Sequence, residues 1–326
     1  MATNVLHEYQ SSQEKQHLEA AIIHYRHAYE TSNEKHRKYI DILINYAAVL
    51  NRQDQLFGGG ENLTEVIRLL EEGRGIMEKR SHRTENYGIL LNNLGQAYIY
   101  QYQKSRTTKC FTSAMEAFQQ ARSRGVSSPG SVTYSSSLIG TATALWNACE
   151  LQPQGESDLL RLKLAINHLE DARRQNAVIS IQAECYRNLG SCHALIYKRT
   201  RKRDDLDLSI GYYSRALVRL GSLSPDRALT HFNLAKQQFE RFMLTKDRAF
   251  MDAAEKNIEA AKAFVDQAPG AKKLEDQIAV LANTMSLSNY HWEMVPSVRS
   301  SRSSVHTGRS RQSSLASIKE GLRLEL

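Results

Sequence analysis

Two interleaved series of small residues, sharing one period, limit what this chain can fold into. An apolar residue followed by a small one recurs inside helical patterns at Tyr46-Ala47, Leu94-Gly95, Ile139-Gly140, Leu189-Gly190, Leu234-Ala235 and Leu281-Ala282. The small members step by 48, 45, 50, 45 and 47 positions. The second series, Ala21, Val66, Ala114, Ala165, Ser209 and Ala254, steps by 45, 48, 51, 44 and 45. Two series with one period near 45 describe a single helix-hairpin unit used about six times. A lone hairpin cannot bury its apolar face, so neighbours must stack and the array bears the stability.

Local chemistry agrees. Leu206, Ile210, Tyr213 and Leu217 fall at helical spacing. Small residues such as Gly95, Gly140 and Gly190 recur where two helices must approach closely. Breakers separate the helical stretches at Gly58-Gly59-Gly60, Ser127-Ser128-Pro129-Gly130, Gln152-Pro153-Gln154-Gly155, Ser224-Pro225 and Pro269-Gly270. Only 5 prolines in 326 residues favour long helices over turn-rich β architecture. The expected fold is an all-α, right-handed α-solenoid over residues 15–295. A flexible N-terminus (1–14) and a disordered Ser/Arg-rich basic tail (296–326) flank it.

Asn92-Asn93-Leu94-Gly95-Gln96-Ala97-Tyr98 and Arg187-Asn188-Leu189-Gly190 resemble the first helix of a tetratricopeptide repeat. Ala114, Phe118 and Ala121, like Ser209, Tyr213 and Ala216, resemble its second helix. The likeness covers about residues 15–290 and is closest to the long-repeat variant of fungal proteins, where such arrays accompany NTPase or CHAT protease-like domains. It implies a binding array. Companion domains of that kind would not fit in the remaining residues. The period departs from the family's ~34 residues and falls in the ~40–47 range of HEAT and armadillo units, so HEAT-like stacking is the alternative. The two anchors of one hairpin stand 19 residues apart, as from Gly190 to Ser209, and 25 in the third, from Gly140 to Ala165. That excess over the family unit is about two helical turns at ~3.6 residues each, expected as longer helices or a longer intra-repeat turn.

No catalytic motif stands out, and an enzyme is not expected. Gly58-Gly59-Gly60 is followed by Glu61-Asn62 rather than the Gly-Lys-Ser/Thr of a phosphate-cradling loop. His17, His24 and His27 share one helix face without the carboxylate of a zinc-protease helix. Cys110, Cys149, Cys185 and Cys192 form no Cys-x-x-Cys pair and read as reduced, buried thiols of the cytoplasm or nucleus. No metal and no cofactor is expected. No run approaches the ~18 apolar residues of a membrane span, and the first residues do not read as a secretory signal.

The residue before each apolar-small step is Asn45, Asn93, Leu138, Asn188, Asn233 and Val280. Asparagine is a middling helix former whose amide offers both donor and acceptor to a peptide backbone. By the resemblance, this position lines the concave groove of peptide-binding arrays. The candidate groove residues are therefore Asn45, Asn93, Gln96, Arg187, Asn188, Asn233 and Lys236. The alternative is that these amides bond a neighbouring helix. The basic residues of the chaperone carboxylate clamp are not reproduced four positions earlier, where Asp41, Ile89, Tyr134, Glu184 and Leu229 stand.

Net charge is +8, and residues 296–326 carry half of it, with six basic against two acidic residues. The body's remaining charge is weak support for nucleic-acid binding, which is not expected. The run Lys198, Arg199, Thr200, Arg201, Lys202, Arg203 reads either as a solvated loop or as a patch for a nuclear carrier or an acidic partner. In the tail, Arg309 and Arg311 precede Ser314 by five and three residues, the spacing basophilic kinases read, so Ser314 is the expected phosphorylation site. Ser317-x-x-Glu320 can cap a short terminal helix. The leading expectation is a non-enzymatic scaffold for a protein or peptide ligand. A regulatory component of a fungal NTPase or CHAT-type system and a nucleic-acid-associated factor are the alternatives. Oligomeric state is left open.

Overall fold

The computed structural model describes residues 2–294, apart from 37, 58–59, 81–83, 124–125, 154, 223, 225 and 266–271. The helices are α1 (Ala2–Thr31), α2 (Tyr39–Phe57), α3 (Leu63–Lys79), α4 (Glu85–Ser105), α5 (Thr108–Ala121) and α6 (Val132–Leu151). They continue with α7 (Glu156–Gln175), α8 (Ile179–Thr200), α9 (Arg203–Arg219), α10 (Asp226–Thr245), α11 (Arg248–Val265) and α12 (Lys272–Met294). Among the described residues there is no strand. The chain divides into two units, residues 1–285 and 286–326. The expected tail lies outside the described residues, while α1 takes in residues 2–14.

Within the first unit consecutive helices from α1 to α11 pack on one another. The closest partners are α2 with α3, α4 with α5, α6 with α7, α8 with α9 and α10 with α11. The even-numbered helices also touch one another, α2 on α4, α4 on α6 and α6 on α8. Five hairpins thus stack, with the even helices forming a continuous layer from α2 to α8.

The anchors of both series sit where helices meet. Ala47, Gly95, Gly140, Gly190 and Ala235 are buried on the even helices, and Val66, Ala114, Ala165, Ser209 and Ala254 on their odd partners. The Ser209 hydroxyl donates to the Gly190 carbonyl at 2.8 Å, tying α9 to α8. A methyl built on Gly95 would stand 2.6 Å from the Phe118 ring, and one on Gly190 2.9 Å from Tyr213. Only glycine lets these helices approach over an aromatic ring. On α5 the buried stripe Cys110, Ala114, Ala117, Phe118 and Ala121 keeps the helical period.

The extra residues of the long unit lie in the helices. α4, α8 and α10 are 21, 22 and 20 residues long. The turns that follow them are two residues each: Arg106-Thr107, Arg201-Lys202 and Lys246-Asp247. Arg106, Arg201 and Lys246 adopt positive φ of 55°, 58° and 59°. Each donates its backbone N–H to the carbonyl four residues earlier, on Tyr102, Tyr197 and Phe242, at 2.7–2.8 Å. A left-handed residue closing a helix this way is usually glycine. Here a basic residue follows Ser105, Thr200 or Thr245, whose hydroxyl accepts the N–H two residues on. The third hairpin differs: its turn holds Pro153 and Gly155, and α7 runs to 20 residues, which accounts for the 25-residue spacing.

Candidate partner-binding face

The seven groove candidates fall on even helices. Asn45 lies on α2, Asn93 and Gln96 on α4, Arg187 and Asn188 on α8, and Asn233 and Lys236 on α10. Asn45 and Gln96 are exposed; the other five are half-buried. Leu138, at the matching position of α6, is buried and divides the row into an α2–α4 part and an α8–α10 part.

Asn45, Asn93, Asn188 and Asn233 make no side-chain hydrogen bond among the described residues. The inter-helix contact falls one position earlier instead: Asn92 donates through Nδ2 to the Thr133 carbonyl at 2.9 Å, joining α4 to α6. Asn92 is buried whereas Asn93 is not. Between α8 and α10 the links are Arg187 to Asp226 at 3.6 Å and the Tyr197 hydroxyl to Glu240 at 3.0 Å.

Charge around this part of the row is uneven. Burial, and then Lys198, hold the Lys236 ammonium below its ordinary pKa against the pull of Glu150 and Glu240. Those two carboxylates already pair with Lys198 at 3.8 Å and Arg201 at 3.1 Å. One turn before Asn188, burial pushes the Glu184 carboxyl up; Asp226 adds to this and Arg187 opposes it.

The structure binds most of the basic run into the array. Arg199 donates to the Cys149 carbonyl at 2.9 Å and faces the buried Asp158 at 3.7 Å. Lys198 pairs with Glu150, Arg201 with Glu240, and Arg203 with Asp207 at 3.9 Å. Lys202 alone has no side-chain partner among the described residues. The neutralising carboxylates belong chiefly to other helices, whereas the adjacent Asp205 bonds His193 at 2.9 Å.

No family model matches the chain, and no curated protein does. Among the described residues, no three His, Cys, Asp or Glu side chains converge as a metal site would require. His17, His24 and His27 are exposed on α1. All four cysteines are buried and free, and burial pushes Cys149 up to about 11 and Cys185 to about 12. An open cavity of about 470 Å³ beside α3 is lined by Tyr39, Glu71, Glu72 and Lys79 and holds none of the candidate residues. No described helix is long and apolar enough to cross a membrane. Gly58, Gly59 and Ser314 lie outside the described residues.

Proposed function

We propose that this chain is a non-enzymatic scaffold of tetratricopeptide-like, right-handed hairpins that binds an extended protein segment along its even-numbered helices. One observation carries the reading: three half-buried amides, Asn93, Asn188 and Asn233, recur at one repeat position with no hydrogen-bond partner among the described residues. Buried polar groups are usually paired, so a recurring unpaired amide is an open valence for a ligand backbone. Engagement of four of the five basic-run side chains with carboxylates favours this over a nucleic-acid surface.

The test is selection of peptides from a random library against the folded chain, followed by titration of the selected peptides. Asn188→Ala with Asn233→Ala should weaken binding about tenfold, two hydrogen bonds of about 0.5–1.5 kcal/mol each, with melting temperature nearly unchanged. Equal affinity for the folded double variant overturns the reading.

A further inference from the structure

The odd-numbered helices share one register, and α1 repeats it without a cover. In all five later odd helices the anchor and the residues four and seven beyond it are buried, as Ser209, Tyr213 and Ala216 are on α9. That face meets the even helix of the same hairpin. The Ser209 hydroxyl donates to the Gly190 carbonyl of α8, and the Tyr213 ring lies against Gly190. On α1 the same positions hold Ala21, Tyr25 and Ala28, and all three are only half-buried. Leu18, three residues before the anchor, is half-buried too, whereas its counterpart Leu206 is buried.

α1 is held to the array by a neighbouring face. Ile22 is buried in the core shared with α2 and α3, and Tyr25 borders that core. The Tyr29 ring stacks on Tyr39 of α2 at 6.1 Å, and Arg26 donates through Nε to the Tyr46 hydroxyl at 3.2 Å. α2 is the helix on which α1 packs, and among the described residues no helix closes over the stripe from Leu18 to Ala28. The last helix differs. Around its anchor Ala282, α12 places the exposed Gln277 and the half-buried Thr284 where α8 buries Cys185 and Cys192. A polar outer face is what the terminal unit of a stacked array needs, and α12 has one. The α1 stripe is apolar.

We infer that this stripe is a homodimer seam, on which α1 of a second copy packs antiparallel about a two-fold axis. Its spacings of three, four and three residues are those of a coiled-coil seam. Large and small side chains alternate along it as Leu18, Ala21, Tyr25 and Ala28, which makes it self-complementary. An antiparallel pair centred on residue 23 sets Leu18 opposite the partner's Ala28 and Ala21 opposite the partner's Tyr25. Each large side chain then meets a small one. The pairing reproduces between copies the crossing of a tyrosine over a small residue that Tyr213 and Gly190 make within one chain. A seam of about three helical turns is at the small end of protein interfaces, so the dimer is reversible and concentration-dependent. It shares no residue with the asparagine row.

The experiment is sedimentation equilibrium of the full chain from micromolar to millimolar concentration. The parent should fit a monomer–dimer equilibrium with no larger species. Ala21→Lys places a charge in the middle of the seam and should weaken the dimer about tenfold or more, with the far-UV melting curve unchanged. Should that variant fail to fold, Leu18→Lys and Ala28→Glu keep the test. Each alone should be monomeric, and their equimolar mixture should recover the dimer, because antiparallel packing brings the two opposite charges face to face. A parent that stays monomeric throughout overturns the proposal. So does a dimer that persists in folded Ala21→Lys, a mixture that stays monomeric, or assembly beyond the dimer, which a head-to-tail contact of α1 with α12 would give.

Discussion

The ring of Phe118 on α5 presses against the backbone of Gly140 on the following α6, so closely that a methyl at Gly140 would stand 2.3 Å from a ring carbon. The same ring meets Gly95 of its own hairpin. One aromatic side chain, fully buried, therefore joins two consecutive hairpins through two glycines.

Gly140→Ala should destabilise the protein by about 1–3 kcal/mol, the cost of overpacking a close contact. The control is within the same fold. Gly75 on α3 and Gly211 on α9 have open space where a methyl would go. Alanine there should stabilise by about 0.5–1 kcal/mol, because glycine is a poor helix former. Urea unfolding of the three variants checks the reversal of sign, and a stabilising Gly140→Ala would show that the hairpins can slide apart at no cost.

Asn92 and Asn93 are neighbours in sequence with opposite expected behaviour. Asn92→Ala removes a buried hydrogen bond between α4 and α6 and should cost about 1–2 kcal/mol. Asn93→Ala removes no side-chain hydrogen bond among the described residues and should leave the melting temperature within about a degree or two, a surface-like effect. Thermal melts of the pair decide whether the row or its inner neighbour holds the helices together.

The period of about 45 was legible because close helix crossings demand small residues, and that demand repeats at Gly95, Gly140 and Gly190. The short hairpin turns were not. Turn recognition looks for glycine and proline, whereas these turns place Arg106, Arg201 and Lys246 in the left-handed region. The signal was present as a hydroxyl residue and a base three and four residues after an aromatic, at Tyr102, Tyr197 and Phe242. Arg199 was hidden for another reason. Its partners, Cys149 and Asp158, lie a whole repeat earlier in the chain, and only stacking brings them together.

At the last of these turns, Lys246→Gly should be neutral or stabilising and Lys246→Val destabilising by about 1–2 kcal/mol. A β-branched side chain is strained at φ of 59°, where glycine is not. The gap between the two variants in denaturant midpoint is the readout. Equal midpoints would mean the chain relaxes the turn at negligible cost.

Glu184 gives a pH-dependent outcome. Burial, reinforced by Asp226, raises its carboxyl above the ordinary value of 4.5, with Arg187 opposing. The folded state then holds this proton more tightly than the unfolded chain. Stability contributed by the group is complete below the ordinary carboxylate range and is lost as pH rises through the raised folded value. Glu184→Gln replaces the carboxyl with a neutral group of the same shape, and Arg187 keeps Asp226 at 3.6 Å. The variant should match the parent near pH 4, where both carry no charge at this position. It should be the more stable of the two at pH 7, by about 1.4 kcal/mol for each unit the folded value is raised. Unfolding free energies at the two pH values supply the test. A difference constant with pH would mean that Glu184 is fully solvated, and a Glu184→Gln that is less stable at pH 7 would mean that its carboxylate is held by Arg187.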